Sequence, residues 1–274
     1  MVQTINNTID NTSKTLSIQV SLNGLSFCTV NANDQITSIT HESFGIQLTP
    51  TQVLDKIKYA FDHNHNLKGT FDTIEVIHQN DLYTVVPKAL FNEDSLKEYL
   101  KFNTKVLQND FIAYDEMNPH NMVTVYIPYT NINNFFFDTF GSFTYKHSST
   151  ILINSLLTQE KNSESITVFA NINDASFDII VINKGNLILS NTYRYQTKED
   201  FLYYLLYTTE QLQLNPEEFS LVFSGNISRD SEFFDIAYTY IRHISFGNLL
   251  KEPQITEDIT SFEPHKHFVL LSHF

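Results

Sequence analysis

Cysteine is almost missing from this sequence, which contains one cysteine, Cys28, and no tryptophan. A single cysteine cannot form a disulfide within the chain, and it cannot supply a Cys-x-x-Cys metal site. Cys28 lies in a predicted strand two residues after Ser26, so we expect a buried structural thiol. The sequence therefore excludes a disulfide-stapled fold and a cysteine-based zinc domain.

Basic residues are also scarce. The 17 lysines and arginines face 31 acidic side chains, which gives a formal charge of −14. A field of that sign repels a phosphate backbone, and no basic stripe offsets it locally. We therefore expect binding to neither nucleic acid nor an anionic membrane surface, and solubility is a sufficient reason for the acidity.

Long hydrophobic runs are missing as well, since no window of about 18 uninterrupted apolar residues occurs. The first residues, MVQTINNTIDNTSK, lack a basic segment followed by an apolar one, which a signal peptide requires. The sequence thus predicts no membrane span and a cytoplasmic protein. Residues 1–14 are polar, and we expect them to be disordered or frayed.

Familiar enzyme and metal motifs do not occur. The chain has no GxxxxGK[ST] loop and no GxSxG nucleophile turn. The His-x-His pair at 63–65 follows a helix with no nearby carboxylate cluster, and the pair at 265–267 is near the C-terminus, so exposed histidines are expected rather than a metal site. The carboxylate pairs 115–116 and 217–218 join adjacent residues, which do not converge on one point, and we expect solvated charges.

What the sequence does contain is an internal repeat. Residues 16–27 read LSIQVSLNGLSF, and residues 166–177 read ITVFANINDASF. Each segment predicts two antiparallel strands joined by a tight turn, and third strands follow at 35–41 and 187–193. An amphipathic helix and a further strand come next in both halves. Such a repeat indicates two similar halves that face each other across a cleft.

Capping residues and apolar spacing predict six helices. They run from position 49 or 51 to about 61, and over 93–101, 131–140, 148–159, 197–212 and 231–240. The helix at 197–212 is apolar around most of its circumference, so we expect it to be buried on more than one side. Residues 268–271 predict a final short strand. The polar run 161–165 is the expected joint between the halves.

This order of elements indicates an α/β protein with mixed sheets. It resembles the actin-like ATPase (ribonuclease H-like) fold, in which each of two duplicated subdomains opens on a three-stranded antiparallel meander. The stretch from MVTVYIPYTN to STILINSLL is similar to the branch of pilus-assembly protein M and the cell-division filament anchors. The whole chain resembles an uncharacterised bacterial family assigned that fold. The resemblance implies lobes at 15–160 and 161–274, with nucleotide bound between them.

The nucleotide motifs of that fold are degenerate in this sequence. Active members carry an Asp-x-Gly turn in the first hairpin of each half, and two adjacent glycines on the adenosine side. The corresponding positions, which the resemblance implies as a weak, vestigial nucleotide site, are Asn23, Gly24, Asn173, Asp174, Ser224, Gly225 and Asn226. Ordinary hairpin turns also account for the first four. We expect no catalytic residue, no metal and no cofactor, although ATP with magnesium would be the ligand if one binds.

Three functions follow from this pattern. The first is a non-catalytic scaffold or adaptor that binds a protein partner, because the duplication is kept while the phosphate turns are lost. Surplus aromatic residues at 135–137, 193–195 and 203–204 could form its contact surface. The alternative is a switch that binds ATP weakly with little or no hydrolysis. A small-molecule kinase with different ligands would need an acid in the cleft, and the sequence alone indicates none.

Overall fold

The computed structural model describes residues 14–256, 259 and 262–273. The predicted fraying of residues 1–14 falls, apart from Lys14, outside the described residues. The strands are β1 (Thr15–Val20), β2 (Gly24–Val30), β3 (Gln35–Ser43), β4 (Thr73–His78), β5 (Tyr83–Pro87), β6 (Ala113–Met117), β7 (Met122–Tyr126), β8 (Thr144–His147), β9 (Ile166–Ile172), β10 (Ser176–Asn183), β11 (Asn186–Arg194), β12 (Ser220–Gly225), β13 (His243–Phe246) and β14 (Gln254–Ile255).

The helices separate these strands along the chain. They are α1 (Pro50–His63), α2 (Leu96–Leu100), α3 (Thr130–Phe140), α4 (Ser148–Gln159), α5 (Lys198–Gln211), α6 (Glu232–Tyr240) and α7 (Phe268–Leu271). No helix within the described residues is both long enough and apolar enough to span a membrane.

Two large sheets have the same internal order. The first is β14-β3-β2-β1-β4-β8 and the second is β11-β10-β9-β12-β13, while β5-β7-β6 forms a small third sheet. In both large sheets an antiparallel meander is followed by a strand parallel to its first member, β4 beside β1 and β12 beside β9. The sequence repeat predicts this common topology. That the two halves arose by duplication stays a prediction.

The chain returns to the first sheet after completing the second. Gln254 and Ile255 of β14 pair in parallel with Gln35 and Ile36 of β3. The division of the chain into lobes at 15–160 and 161–274 stays a prediction. The described part of the second segment nevertheless contributes a strand to the first sheet.

Local sequence explains where the main helices begin and end. Thr49 and Gln52 form a capping box around Pro50 at the start of α1, and Thr197 does the same with Asp200 for α5. Gly141, at φ +78°, follows the last residue of α3. A residue with a positive φ ends a helix most easily when it has no Cβ.

The interior is divided into layers. One apolar cluster lies between the first sheet and α1 and α3, and another between the second sheet and α5 and α6. A third fills the space between the two large sheets, around α4 and α7. Cys28 lies in this central layer and is fully buried, and burial raises the pKa of its thiol to about 12. The expectation of a structural thiol is consistent with this position.

Residues 268–271 form helix α7 and not the predicted strand. Phe268, Val269, Leu270 and Leu271 are all buried between the sheets, next to α4 and β12. The turn Pro264–His267 runs directly into α7, and the N–H of Ser272 donates to the carbonyl oxygen of Phe268 at 2.9 Å, so the segment forms local hydrogen bonds without pairing to a strand. The apolar run was correct evidence of burial but not of strand geometry.

Helix α5 is buried on one side only, contrary to the expectation from its composition. Phe201 and Leu205 are fully buried, but Tyr203 is 61% exposed and Tyr207 is 46% exposed. The tyrosine rings were counted as apolar in the sequence, although a tyrosine can keep its ring at the surface and its hydroxyl in water.

Candidate functional site

A cleft of about 350 Å³ lies where the β1–β2 hairpin meets the β9–β10 hairpin. Residues 266–270 form one of its walls. Six of the seven positions predicted as vestigial nucleotide contacts line it, namely Asn23, Gly24, Asn173, Asp174, Gly225 and Asn226. The seventh, Ser224, is buried and does not line the cleft. It donates a hydrogen bond to Oδ1 of Asn171 at 3.0 Å.

In the first hairpin, Ser21 occupies the backbone donors of the turn. Its Oγ accepts from the N–H of Asn23 at 3.1 Å and from the N–H of Gly24 at 2.9 Å. The same hydroxyl donates to the carbonyl oxygen of Gly24 at 3.1 Å. A phosphate-binding turn directs such N–H groups at the anion. Here the turn satisfies them with its own side chain.

In the second hairpin, Asp174 reaches across the cleft to the first. Its Oδ1 lies 3.4 Å from Nε2 of His41, on β3, and 3.3 Å from Nδ2 of Asn226. A Cβ added to Gly24 would be 2.3 Å from Oδ2 of Asp174. The side chain of Asp174 therefore occupies the space next to Gly24, and the two hairpins touch each other at this point.

A second cleft carboxylate, Asp178 on β10, was missed in the sequence. Thr192 Oγ1 donates to its Oδ1 at 2.6 Å, and the side-chain amides of Asn171 and Asn173 donate to its Oδ2, each at 3.0 Å. Burial raises the pKa of this carboxyl, while the three hydrogen bonds oppose the rise. One acidic residue inside the apolar run FDIIVI was the available signal.

Polar contacts also join the second sheet to the loop after β4. Arg194 forms a bidentate ion pair with Asp81, through Nε at 2.8 Å and Nη2 at 3.1 Å. The hydroxyl of Tyr83, the first residue of β5, lies 3.1 Å from Oγ of Ser190 and 3.3 Å from Oγ1 of Thr192. These contacts tie the second sheet to the first half of the chain beside the cleft.

The single glycine of the adenosine-side turn has a packing role. Gly225 has φ +81°, and a Cβ there would lie 2.1 Å from the carbonyl oxygen of Ile172. Asn226 N–H donates to the same oxygen at 2.7 Å. The close approach of β12 to β9 thus explains this glycine without any ligand.

The histidine pairs have mixed surroundings. His63 and His65 are exposed as expected. His267 is half-buried, and burial lowers its pKa to about 4, while the nearby His273 is only 4% exposed and its Nε2 lies 2.7 Å from Oγ of Ser17. The expectation of exposure was therefore wrong for the C-terminal histidines, which pack against the two sheets. No group of three metal-binding side chains was found among the described residues.

One of the supposedly solvated carboxylates has a structural role. Asp115 accepts hydrogen bonds from the N–H of His147 at 2.8 Å, from Oγ1 of Thr150 at 2.7 Å and from the hydroxyl of Tyr126 at 3.0 Å. Burial raises its pKa. It therefore binds the start of α4, whereas the adjacent Glu116 is exposed, as expected, and pairs with Lys88.

These residues do not fit a magnesium triphosphate. The amides of the first turn are taken by Ser21, and Asp174 fills the space above Gly24. Asp81 and Asp178 add negative charge to the lining, and Arg194, one of the cations there, is already paired. A triphosphate needs free N–H donors and positive charge at this place.

Comparison with known proteins identifies the family and the fold. The chain belongs to a family described as proteins of unknown function (DUF3822), whose model matches residues 3–244. A Bacteroides thetaiotaomicron protein with actin-like ATPase fold and unknown function is similar in structure, with a TM-score of 0.73, 22% identity, and coverage of 89% of this chain and 94% of that chain. No curated protein sequence matches this chain.

A second similar structure is that of a PilM–PilN type IV pilus biogenesis complex. Its TM-score is 0.60 at 10% identity, and the match covers 94% of this chain and 96% of that chain. At these identities the similarity shows the fold. The predicted actin-like ATPase fold and the resemblance to an uncharacterised family of the pilus-assembly branch are thus confirmed.

Proposed function

We propose that this chain, as a member of a family of unknown function with the actin-like ATPase fold, is a non-catalytic scaffold or adaptor that binds a protein partner. The observation that carries the proposal is the contact between Asp174 and Gly24 across the cleft. A side chain of the protein lies where the two hairpins would otherwise hold phosphate between them. The proposal places the scaffold in the cytoplasm, as the sequence predicts.

The energetics of phosphate binding support this proposal. Phosphoryl transfer depends on positioning and on neutralising the negative charge of the phosphates. Here a phosphate would have to displace Ser21 from two N–H groups and approach the carboxylates of Asp174 and Asp178. The structural similarity to PilM, which was solved in a complex with PilN, supports a protein as the partner class.

Magnesium-dependent ATP turnover by the purified full chain tests the proposal. We expect no release of inorganic phosphate above the background of a parallel Asp178→Asn preparation. That variant keeps the size of the side chain but removes its charge, so it separates turnover that depends on the cleft carboxylate from background. Turnover in the wild type that disappears in Asp178→Asn would overturn the non-catalytic assignment.

A nucleotide-binding switch is the second candidate, favoured by a retained cleft with six of the seven expected positions in its lining. It is distinguished by calorimetric titration and by thermal shift with ATP, ADP and magnesium. Ligand at 100 times its dissociation constant stabilises the folded state by about 2.7 kcal/mol. A shift of that order without turnover would favour the switch, and no heat and no shift would remove it.

A further inference from the structure

A pair of stacked tyrosines lies on the outer side of α5, away from the cleft. The rings of Tyr203 and Tyr207 have centroids 5.9 Å apart and planes at 17°. They are 61% and 46% exposed, while Phe201 and Leu205 hold the opposite side of the helix against the second sheet. Large apolar surfaces that remain in water are a common feature of protein contact sites.

Acidic residues bracket this pair along the same face of the helix. Glu199 lies four residues before Tyr203, and Glu210 lies three residues after Tyr207, and all four side chains are exposed. Residues three and four apart are neighbours on a helix surface. We call Glu199, Tyr203, Tyr207 and Glu210 the α5 stripe. At 1.5 Å per residue it is about 16 Å long.

Helices α5 and α6 carry a surplus of negative charge around the stripe. Among all residues of α5 and α6, Lys198 is the single cation, against five carboxylates. Lys198 lies 3.1 Å from Glu232 of α6. Glu199 and Glu210 take part in none of the ion pairs found among the described residues. A cation brought by a partner would therefore meet, on both sides of the tyrosines, carboxylates that form no ion pair within the described residues.

Arginine is the side chain that suits this arrangement. Its planar guanidinium stacks on an aromatic face and can still donate two parallel hydrogen bonds to a carboxylate. A lysine ammonium is attracted to the same ring as a point charge, but it has neither the plane nor the fork. An aromatic pair between two glutamates offers both contacts to one extended or helical segment.

We propose that the α5 stripe is a docking surface for an arginine-bearing segment of a protein partner. The inference rests on the scaffold role proposed above and names the chemistry of its partner. It concerns the outer face of the second sheet and uses no residue of the cleft.

A matched surface exists on the other half of the molecule. Tyr59 on α1 is also 61% exposed, and its ring stacks on His63 with centroids 4.0 Å apart. There, however, Lys56 and Lys58 balance the two aspartates of the same helix. The exposure and the stacking are alike, but the surplus of negative charge is missing, so this site serves as the control.

Fluorescence anisotropy with labelled nona-arginine and nona-lysine peptides tests the proposal on the full chain at physiological ionic strength. We expect the arginine peptide to bind more tightly than the lysine peptide. Tyr203→Ala/Tyr207→Ala should weaken the arginine peptide about tenfold and remove the preference. Tyr59→Ala should leave both affinities unchanged. Glu199→Gln/Glu210→Gln should weaken both peptides, because it removes charge, and keep part of the preference, because the rings remain.

Several results would overturn the proposal. These are equal affinity for the two peptides, an unchanged affinity in the double tyrosine variant, or an equal loss in Tyr59→Ala. Thermal melts check that each variant is folded. Because the substituted tyrosines are exposed, their replacement should not prevent folding. This readout is independent of the ATP assay. If the protein hydrolyses ATP and still prefers the arginine peptide, only the non-catalytic role is rejected. If it does not hydrolyse ATP but binds the two peptides equally, only this docking surface is rejected.

Discussion

Two buried histidines predict that this protein loses stability in mild acid. Nδ1 of His78 accepts from the N–H of Tyr129 at 3.3 Å, and its Nε2 lies 2.8 Å from Oδ1 of Asn133. His147 caps α4, with Nδ1 accepting from the N–H of Ser149 at 3.1 Å. Burial lowers the pKa of His78 to about 4 and that of His147 to about 3. Protonation of either ring would destroy an accepted hydrogen bond.

The size of the effect follows from proton linkage. An unfolded histidine has a pKa of about 6.5, so between that pH and the folded values the unfolded chain binds protons that the folded chain does not. The stability provided by the two neutral rings is complete above about pH 6.5 and is lost as the pH falls. From about pH 7.5 to about pH 5.0 each ring accounts for a loss of about 2 kcal/mol, and the two for about 4 kcal/mol.

Two buried carboxyls act in the opposite direction, whereas His267, whose pKa burial lowers to about 4, adds to the loss. Burial raises the pKa of Asp115 and of Asp178, so their folded forms take up protons before the unfolded chain does and gain stability as the pH falls. The total pH dependence is therefore a sum of opposed contributions. The histidine part is isolated by comparing variants under the same conditions, and not by the wild-type curve alone.

Urea unfolding at about pH 7.5 and about pH 5.0 measures this difference. His78→Gln/His147→Gln cannot take up the two protons, so its loss of unfolding free energy on acidification should be smaller than that of wild type by about 4 kcal/mol. His63→Gln, which changes an exposed histidine, should follow the wild type. If the double variant loses as much stability as the wild type, the assignment of neutral buried rings is wrong.

Further variants test other parts of the structure by urea unfolding. Gly225→Ala should cost about 3 kcal/mol because its Cβ would lie 2.1 Å from a carbonyl oxygen, whereas Gly45→Ala, at φ +68° in open space, should cost only about 1 kcal/mol; equal losses would refute the packing role. Asp178→Ala should cost about 2 kcal/mol by removing a buried acceptor shared by Asn171, Asn173 and Thr192, and Asp178→Asn should cost less. Thr49→Ala should cost about 1 kcal/mol through the lost cap of α1, and an unchanged midpoint would show that the cap adds nothing.

Much of the secondary structure was predictable because its signals are local. The alternating residues of β1 and β2 and the Thr49 cap are properties of short stretches of chain, and the structure has them at the predicted places. Strands β6, β13 and β14, which the sequence does not predict, are short or largely polar. They exist because a neighbouring strand provides hydrogen-bond partners, and that information lies elsewhere in the chain.

The candidate site was predictable only in part, for the same reason. The resemblance located the hairpins that line the cleft, and with them Asn23, Gly24, Asn173 and Asp174. It did not reveal that Asp174 would lie against Gly24, since this contact joins residues 150 positions apart and depends on how the two sheets meet. Asp178 was not predicted as a site residue, because a single acid within an apolar strand gives no signal that it lines a cleft.

The contacts across the cleft join the two large sheets through the protein's own side chains. In the fold that this chain resembles, nucleotide lies between the lobes and contacts both. Here Asp174 contacts His41 and Gly24, and Arg194 pairs with Asp81 on one side of the cleft. Each contact is modest, because exposed ion pairs contribute up to about 1 kcal/mol. Together with the apolar layer around α4 and α7 they hold the sheets together, which is the property that the proposed scaffold role requires.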